Sequence, residues 1–334
     1  MVKFKETTNI SLIKHPKLSP GYPSAVQKAN VGSKYTYMLQ LRNNQHDTWV
    51  VRGLSYSATE DILHLVGDAA GHTQTWEFAG VNNNWFVGVK TSSPTRGKKE
   101  WAKQIARVNI KTPGLATNAI DEYKKFPRLA YLNRAGKVHY TGTDFWRAEA
   151  AVSPDHQKFL LVTMDVTGNA YFTIYSLATI NKALDKVASL KDGNNYVNME
   201  NVPYLESFRY PNLDSIINSF QGFDLDNSGN IYISSQLKPD YNPGDKTWTT
   251  HHKQIVKIPK AYRTKPEQWT SVNLSDWGKL DIKGEHSEVE GIQVIGENHV
   301  YLTVAYHKYV VDKSDPSKSG VKTVENVLYE LSWK

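Results

Sequence analysis

Apolar and polar positions in this chain alternate in short bursts with a period near two, the pattern of half-buried strands. The clearest burst covers residues 221–235. Phe223 and Leu225 mark one strand, and Ile231, Tyr232 and Ile233 mark the next. The five residues between them, Asp226 to Asn230, are turn formers, with Gly229 free to take a positive φ. The same order of a Gln or Glu, a short residue, a strand, a turn and a second strand occurs five times. Its anchors are Gln27, Gln74, Glu149, Gln221 and Glu290, spaced 47, 75, 72 and 69 residues apart. Repeats of that length with sheet character predict blades of about four strands each. The expected fold is therefore all-β: a five-bladed β-propeller with one inserted helix and long inter-strand loops. Blades are expected near 22–66, 71–110, 126–177, 216–259 and 285–333, within a single domain spanning 1–334.

One stretch breaks the rhythm. Ile180, Ala183, Leu184 and Val187 recur at helical spacing and paint one apolar stripe, with Ser176 or Thr179 as candidate caps. The extended lead-in 6–13 is expected to complete the last blade, which ends in the strand 327–331. Two polar loops, 238–250 and 313–322, are expected to protrude.

Composition narrows the classes. The chain has 334 residues and no Cys, so disulfides, thiolate metal sites and Cys nucleophiles are excluded. No apolar run approaches the length of a membrane span. The first eleven residues lack the apolar core of a conventional signal peptide. Lys and Arg exceed Asp and Glu by 7, a surplus that favours encounter with anionic surfaces. No nucleic-acid-binding motif accompanies that surplus.

Enzyme motifs are absent: there is no GxSxG elbow, no HExxH and no phosphate-binding loop. If the five anchors start equivalent inner strands, they ring one mouth of the central channel. His72, Arg147 and Glu288 lie two residues before three of them, on the same strand face. The tentative ligand-binding set is Gln27, His72, Gln74, Arg147, Glu149, Gln221, His286, Glu288 and Glu290, with no catalytic residue and no metal ligand assigned. The plainer reading is that the anchors hydrogen-bond neighbouring blades. No cofactor is expected, although a divalent cation in the channel remains open as an alternative. Since Gln already holds three anchor positions, replacing Glu149 and Glu290 by Gln is expected to leave the fold intact. Asp224, Asp226, Ser228 and Asn230 imitate a calcium loop, but Ser235 stands where an EF-hand needs Glu, so a hairpin turn is expected. Glu288 and Glu290 pose as a carboxylate pair for glycoside hydrolysis, and Trp146, Trp248 and Trp277 as platforms for sugar rings.

Longer blocks carry a resemblance. They are AVQK at 25–28, NVGSKY at 30–35, GHTQTWEFAG at 71–80, WAKQIARV at 101–108, AEAAVSPD at 148–155, HHKQIVKIP at 251–259, HSEVE at 286–290, IGENH at 295–299 and YLTVAYH at 301–307. In these blocks the chain resembles the helveticin J family, large heat-labile bacteriocins of lactobacilli. The resemblance implies a secreted antibacterial protein active on related Gram-positive bacteria, exported without a recognisable signal peptide. It supplies no catalytic motif. The expected partner is an envelope component, a glycan or teichoic acid, with no nucleic acid partner. A propeller hydrolase with a metal-dependent channel site and a lectin-like adhesin remain as alternatives.

Overall fold

The computed structural model describes residues 3–91, 100–137, 145–191 and 193–334. Residues 92–99 and 138–144, within the expected second and third blades, lie outside the described residues. Five sheets of four or five strands surround one axis. Their innermost strands are Val26–Val31, Trp76–Phe78, Phe145–Val152, Phe223–Leu225 and His286–Gly296, and each packs against the next around a closed ring. The five-bladed propeller is the fold.

The strands form where apolar residues alternate, and the faces between blades bury them. Phe86, Leu161 and Tyr175 fill the space between the second and third blades, while Val304, Leu302 and Leu331 fill the fifth. Small residues after the anchors let the inner strands close. A Cβ on Gly222 would lie 2.7 Å from the Ile292 nitrogen, and one on Gly291 would lie 2.5 Å from the Gln27 carbonyl oxygen. No larger side chain fits at either contact.

The N-terminal lead-in closes the ring on two blades. Ile10–Lys14 pairs with Gly320–Trp333 at the edge of the fifth blade, as expected for that blade. Lys5–Thr7 instead runs parallel to Thr270–Asn273 and becomes the outermost strand of the fourth. The second blade also reaches further along the chain than its expected end. Arg128–Ala130 joins its edge, followed by Tyr196–Asn198, rather than opening the third blade. Arg128 fixes this placement by donating to Gln104, Asn195 and the Gly193 carbonyl.

The helix spans Leu177–Ala188, and its stripe of Ile180 and Leu184 is buried between the second and third blades. Ser176 occupies the position before it without making a side-chain cap. Arg107 bolts the helix to the second blade through Asn181, at 3.0 Å, and Asp185.

The turn at 226–230 is closed by its own aspartate. Asp226 accepts the Asn230 backbone and side-chain N–H groups and the Tyr232 hydroxyl, and Gly229 has φ of +88°. Its carboxylate is filled by protein donors, as the hairpin reading requires. The same device recurs at Asp165, which accepts from Thr167, Asn169 and the Tyr171 hydroxyl. Both turns read D-x-x-G-N-x-Y, a signal present in the sequence at 165–171 and 226–232.

Candidate functional site

The five anchors converge at one end of the channel. Gln27 donates to Glu290 at 3.2 Å, and Gln74 donates to Glu290 at 3.0 Å and to Gln221 at 3.1 Å. Gln221 in turn donates to the Gln236 carbonyl, and Gln236 binds Ser287 and Val289 on the fifth blade. Glu149 accepts from the hydroxyls of Thr73 and Thr75, the Gln74 backbone and Arg147. Arg147 completes the layer by donating to the carbonyls of Phe220 and Gln221, with its guanidinium 3.8 Å over the Trp101 ring. Burial lowers the Arg147 pKa from its ordinary value, against the opposing pull of Glu149 and Glu290.

This layer floors an opening of about 370 Å³ lined by Gln27, Gln221, Glu288, Glu290, Lys238 and His307 among others. The structure therefore gathers seven of the nine singled-out residues: four line the opening, and Gln74, Arg147 and Glu149 lie beneath it. His72 is displaced to the side, against the Trp101 ring at 4.1 Å and Gln45 at 3.1 Å. His286 points outward and stacks on Trp248 at 4.1 Å. Burial and the nearby Lys253 and His307 lower its pKa. Glu288 is held by His307 at 2.9 Å, a partner invisible in the sequence because it arrives from the next strand.

Neither glutamate of the anchor ring is laid out for a metal. Both carboxylates already accept protein donors, and no metal-holding group of three His, Asp or Glu side chains occurs among the described residues. Nor do the tryptophans all face solvent. Trp146 is a core residue donating to the Asp165 carbonyl, and Trp277 packs on the fifth-blade core. Trp248 stands on a protruding hairpin, Asp240–Asn242 with Thr247–Thr249, tilted against Tyr241, which stacks in turn on Tyr309.

A second polar layer lies deeper in the channel, and the sequence reading missed it. Lys28 forms an ion pair with Glu77 and lies 3.9 Å from Asp224, all three almost fully buried. Glu77 also takes the Val152 N–H, and Asp224 takes the Val294 N–H at 2.8 Å. The cluster thus touches all five blades. Burial pushes Glu77 up to about 8 and Asp224 up to about 6, with Lys28 opposing both shifts. Burial would lower Lys28, but the two carboxylates outweigh it and raise its pKa. One ammonium between two carboxyls in a dry site leaves one carboxyl holding its proton near neutral pH.

The family described as Bacteriocin helveticin-J matches residues 6–334. The chain belongs to the helveticin J family. Bacteriocin helveticin-J of Lactobacillus helveticus is 49% identical over 352 residues, covering 100% of both chains. Among solved structures, the chain is similar to the catalytic domain of a Coprinopsis cinerea GH62 α-L-arabinofuranosidase, with TM-score 0.44, 8% identity and coverage of 98% and 96%. It is also similar to the α-L-arabinofuranosidase PaAbf62A from Podospora anserina, with TM-score 0.42, 8% identity and 98% coverage of each chain. No helix among the described residues is long and apolar enough to cross a membrane.

Proposed function

We propose that this member of the bacteriocin family is a secreted antibacterial protein that acts on related Gram-positive cells by binding an envelope component, a glycan or teichoic acid. The observation that carries binding over hydrolysis is the state of Glu288 and Glu290. His307 holds the first, and Gln27 and Gln74 hold the second. Both carboxylates are thus engaged by protein donors, which supports binding over the acid and base roles of a glycosidase pair. Around them the opening offers amides, Lys238 and His307, and the Trp248 hairpin stands nearby on the fourth blade as a contact surface.

The experiment is a sedimentation assay with purified cell walls, before and after extraction of teichoic acid, run beside a killing assay on the same cells. Saturable binding that a Lys238→Ala, Trp248→Ala double variant weakens, together with parallel loss of killing, supports the reading. Killing without wall binding overturns it, and binding without killing leaves the adhesin alternative. The surplus of 7 positive charges should make binding fall as salt rises to about 0.5 M, because exposed charges are screened over about 10 Å already at 0.1 M.

A further inference from the structure

The channel has a second opening. Gln27 and Glu290 lie in the first halves of their inner strands and Glu149 at the middle of its own, whereas Asn30, Val31, Val152, Gln293 and Val294 lie towards the far ends. Those far ends surround a cavity of about 470 Å³ that nothing above uses. Its walls include Tyr35, Tyr37, Phe78, Trp85 and His156, and Glu77 and Asp224 reach it from below. The aromatic wall is closely packed. Trp85 stacks on Trp76 at 4.9 Å and packs on Tyr37 at 4.3 Å, Phe78 meets His156 edge-on at 5.3 Å, and the Arg52 guanidinium lies 4.5 Å over Tyr35.

We propose that this cavity is a saccharide site, which takes a pyranose ring of a cell-wall glycan against Tyr35 and Phe78, backed by Trp85, with ring hydroxyls directed at the Glu77 and Asp224 carboxyls. The chemistry selects this class. Aromatic faces suit the apolar C–H face of a sugar, while hydroxyls donate to carboxyl oxygens. A hydrocarbon chain would bring no hydrogen-bonding group to the carboxyl oxygens at the cavity floor. A phosphate would meet two carboxyls and gain only one ammonium that they already engage. The volume falls within the range of small-ligand pockets, and an apolar concavity with a few convergent polar groups of shifted pKa is the usual form of such sites. The inference rests on the envelope reading for the source of the sugar and goes beyond it by adding a site at the other opening.

The test is titration of the full chain with chitotetraose and with a soluble peptidoglycan digest, followed by calorimetry and by Trp fluorescence. Wild type is expected to bind one of the two saturably, with a change in Trp emission from Trp85. Tyr35→Ala and Phe78→Ala remove side chains that are only half-buried, so each should unfold near the wild-type temperature and bind about tenfold more weakly or worse. His156→Ala, on an exposed residue at the rim, provides a second variant should either of those fail to fold, and it should also weaken binding. Absence of saturable binding to both probes, or unchanged affinity in the folded variants, overturns the site. Because no arm reads killing, that result would leave the envelope reading to its own assay.

Discussion

Gln74 and Gln221, 147 residues apart in the chain, meet at 3.1 Å across the axis of the propeller. The same Gln74 amide reaches Glu290, so one side chain joins the second, fourth and fifth blades. Gln27 adds the first blade, and Arg147 with Glu149 adds the third. The anchor ring is a clasp between blades, whatever else its open side contacts.

That clasp treats its two glutamates differently. Glu149 is the ion-pair partner of a buried guanidinium, so Glu149→Gln breaks that pair, leaves Arg147 only the pull of Glu290, and should cost about 3–5 kcal/mol. Glu290→Gln should cost under about 1 kcal/mol. Gln27 Oε1 and Gln74 Oε1 are buried without partners, and an amide at 290 would bring them a donor. The equal tolerance expected from the repeat does not follow from this geometry. Urea unfolding of the two single variants decides the matter, and equal losses would refute the distinction.

How much of this was legible depends on where each interaction closes. The anchors were readable because they repeat, and their convergence follows once five inner strands circle an axis. The Lys28–Glu77–Asp224 layer was not readable. Lys28 and Glu77 look like outward polar positions and Asp224 like the start of a calcium-type loop, and the three find one another only when the first, second and fourth blades meet. His307 escaped for the related reason that strand register brings it to Glu288. Arg128–Ala130 joined the wrong expected blade because its partners, Asn195 and Gly193, lie some 65 residues downstream. The D-x-x-G-N-x-Y turn was written plainly twice, but a single copy reads as ordinary turn chemistry.

The two copies of that turn make a paired prediction. In each, a buried aspartate satisfies a backbone N–H, an Asn amide and a Tyr hydroxyl. Asp165→Ala and Asp226→Ala should each cost about 2–3 kcal/mol, because the donors are left buried and unpaired. Burial alone would raise the Asp165 pKa, but Thr167, Asn169 and Tyr171 hold it below its ordinary value. Its contribution is therefore complete above the ordinary Asp range and lost as pH falls through the depressed folded value. Thermal unfolding of both variants at neutral pH and near pH 3 checks both points: a loss at neutral pH that persists undiminished in acid contradicts the second.

The lead-in closes the ring without a covalent link. Deleting residues 1–14 removes Lys5–Thr7 and Ile10–Lys14, exposes the edges of two blades, and strips Phe4, Ile10 and Leu12 from the cores they cover. Those three partly buried side chains suggest a loss of about 2–4 kcal/mol. The freed edges should also drive self-association, since an unpaired strand edge is a template for another chain. Light scattering against concentration, beside thermal unfolding, reads both effects. A truncated chain as stable and monomeric as the full one would show that the closure is dispensable.

The deep charge layer sets a pH dependence whose sign is unusual for carboxylates. Glu77 and Asp224 ordinarily titrate near 4.5 and 3.8, and in the folded protein burial raises them to about 8 and about 6. Between those limits the folded state binds more protons than the unfolded chain, so stability falls as pH rises. The contribution is complete below the unfolded values and declines through pH 6 and then pH 8. Glu77→Gln removes the larger part of this slope. It keeps an acceptor for the Lys28 ammonium and leaves Asp224, 3.9 Å away, as a single counter-ion. The variant should therefore be no more stable than wild type at pH 5 and more stable at pH 9. Taking the difference between the two proteins at each pH cancels whatever the two chains share. Chemical unfolding at pH 5, 7 and 9 supplies the profile, and a difference between wild type and variant that stays flat from pH 5 to 9 would mean that Glu77 is ionised throughout.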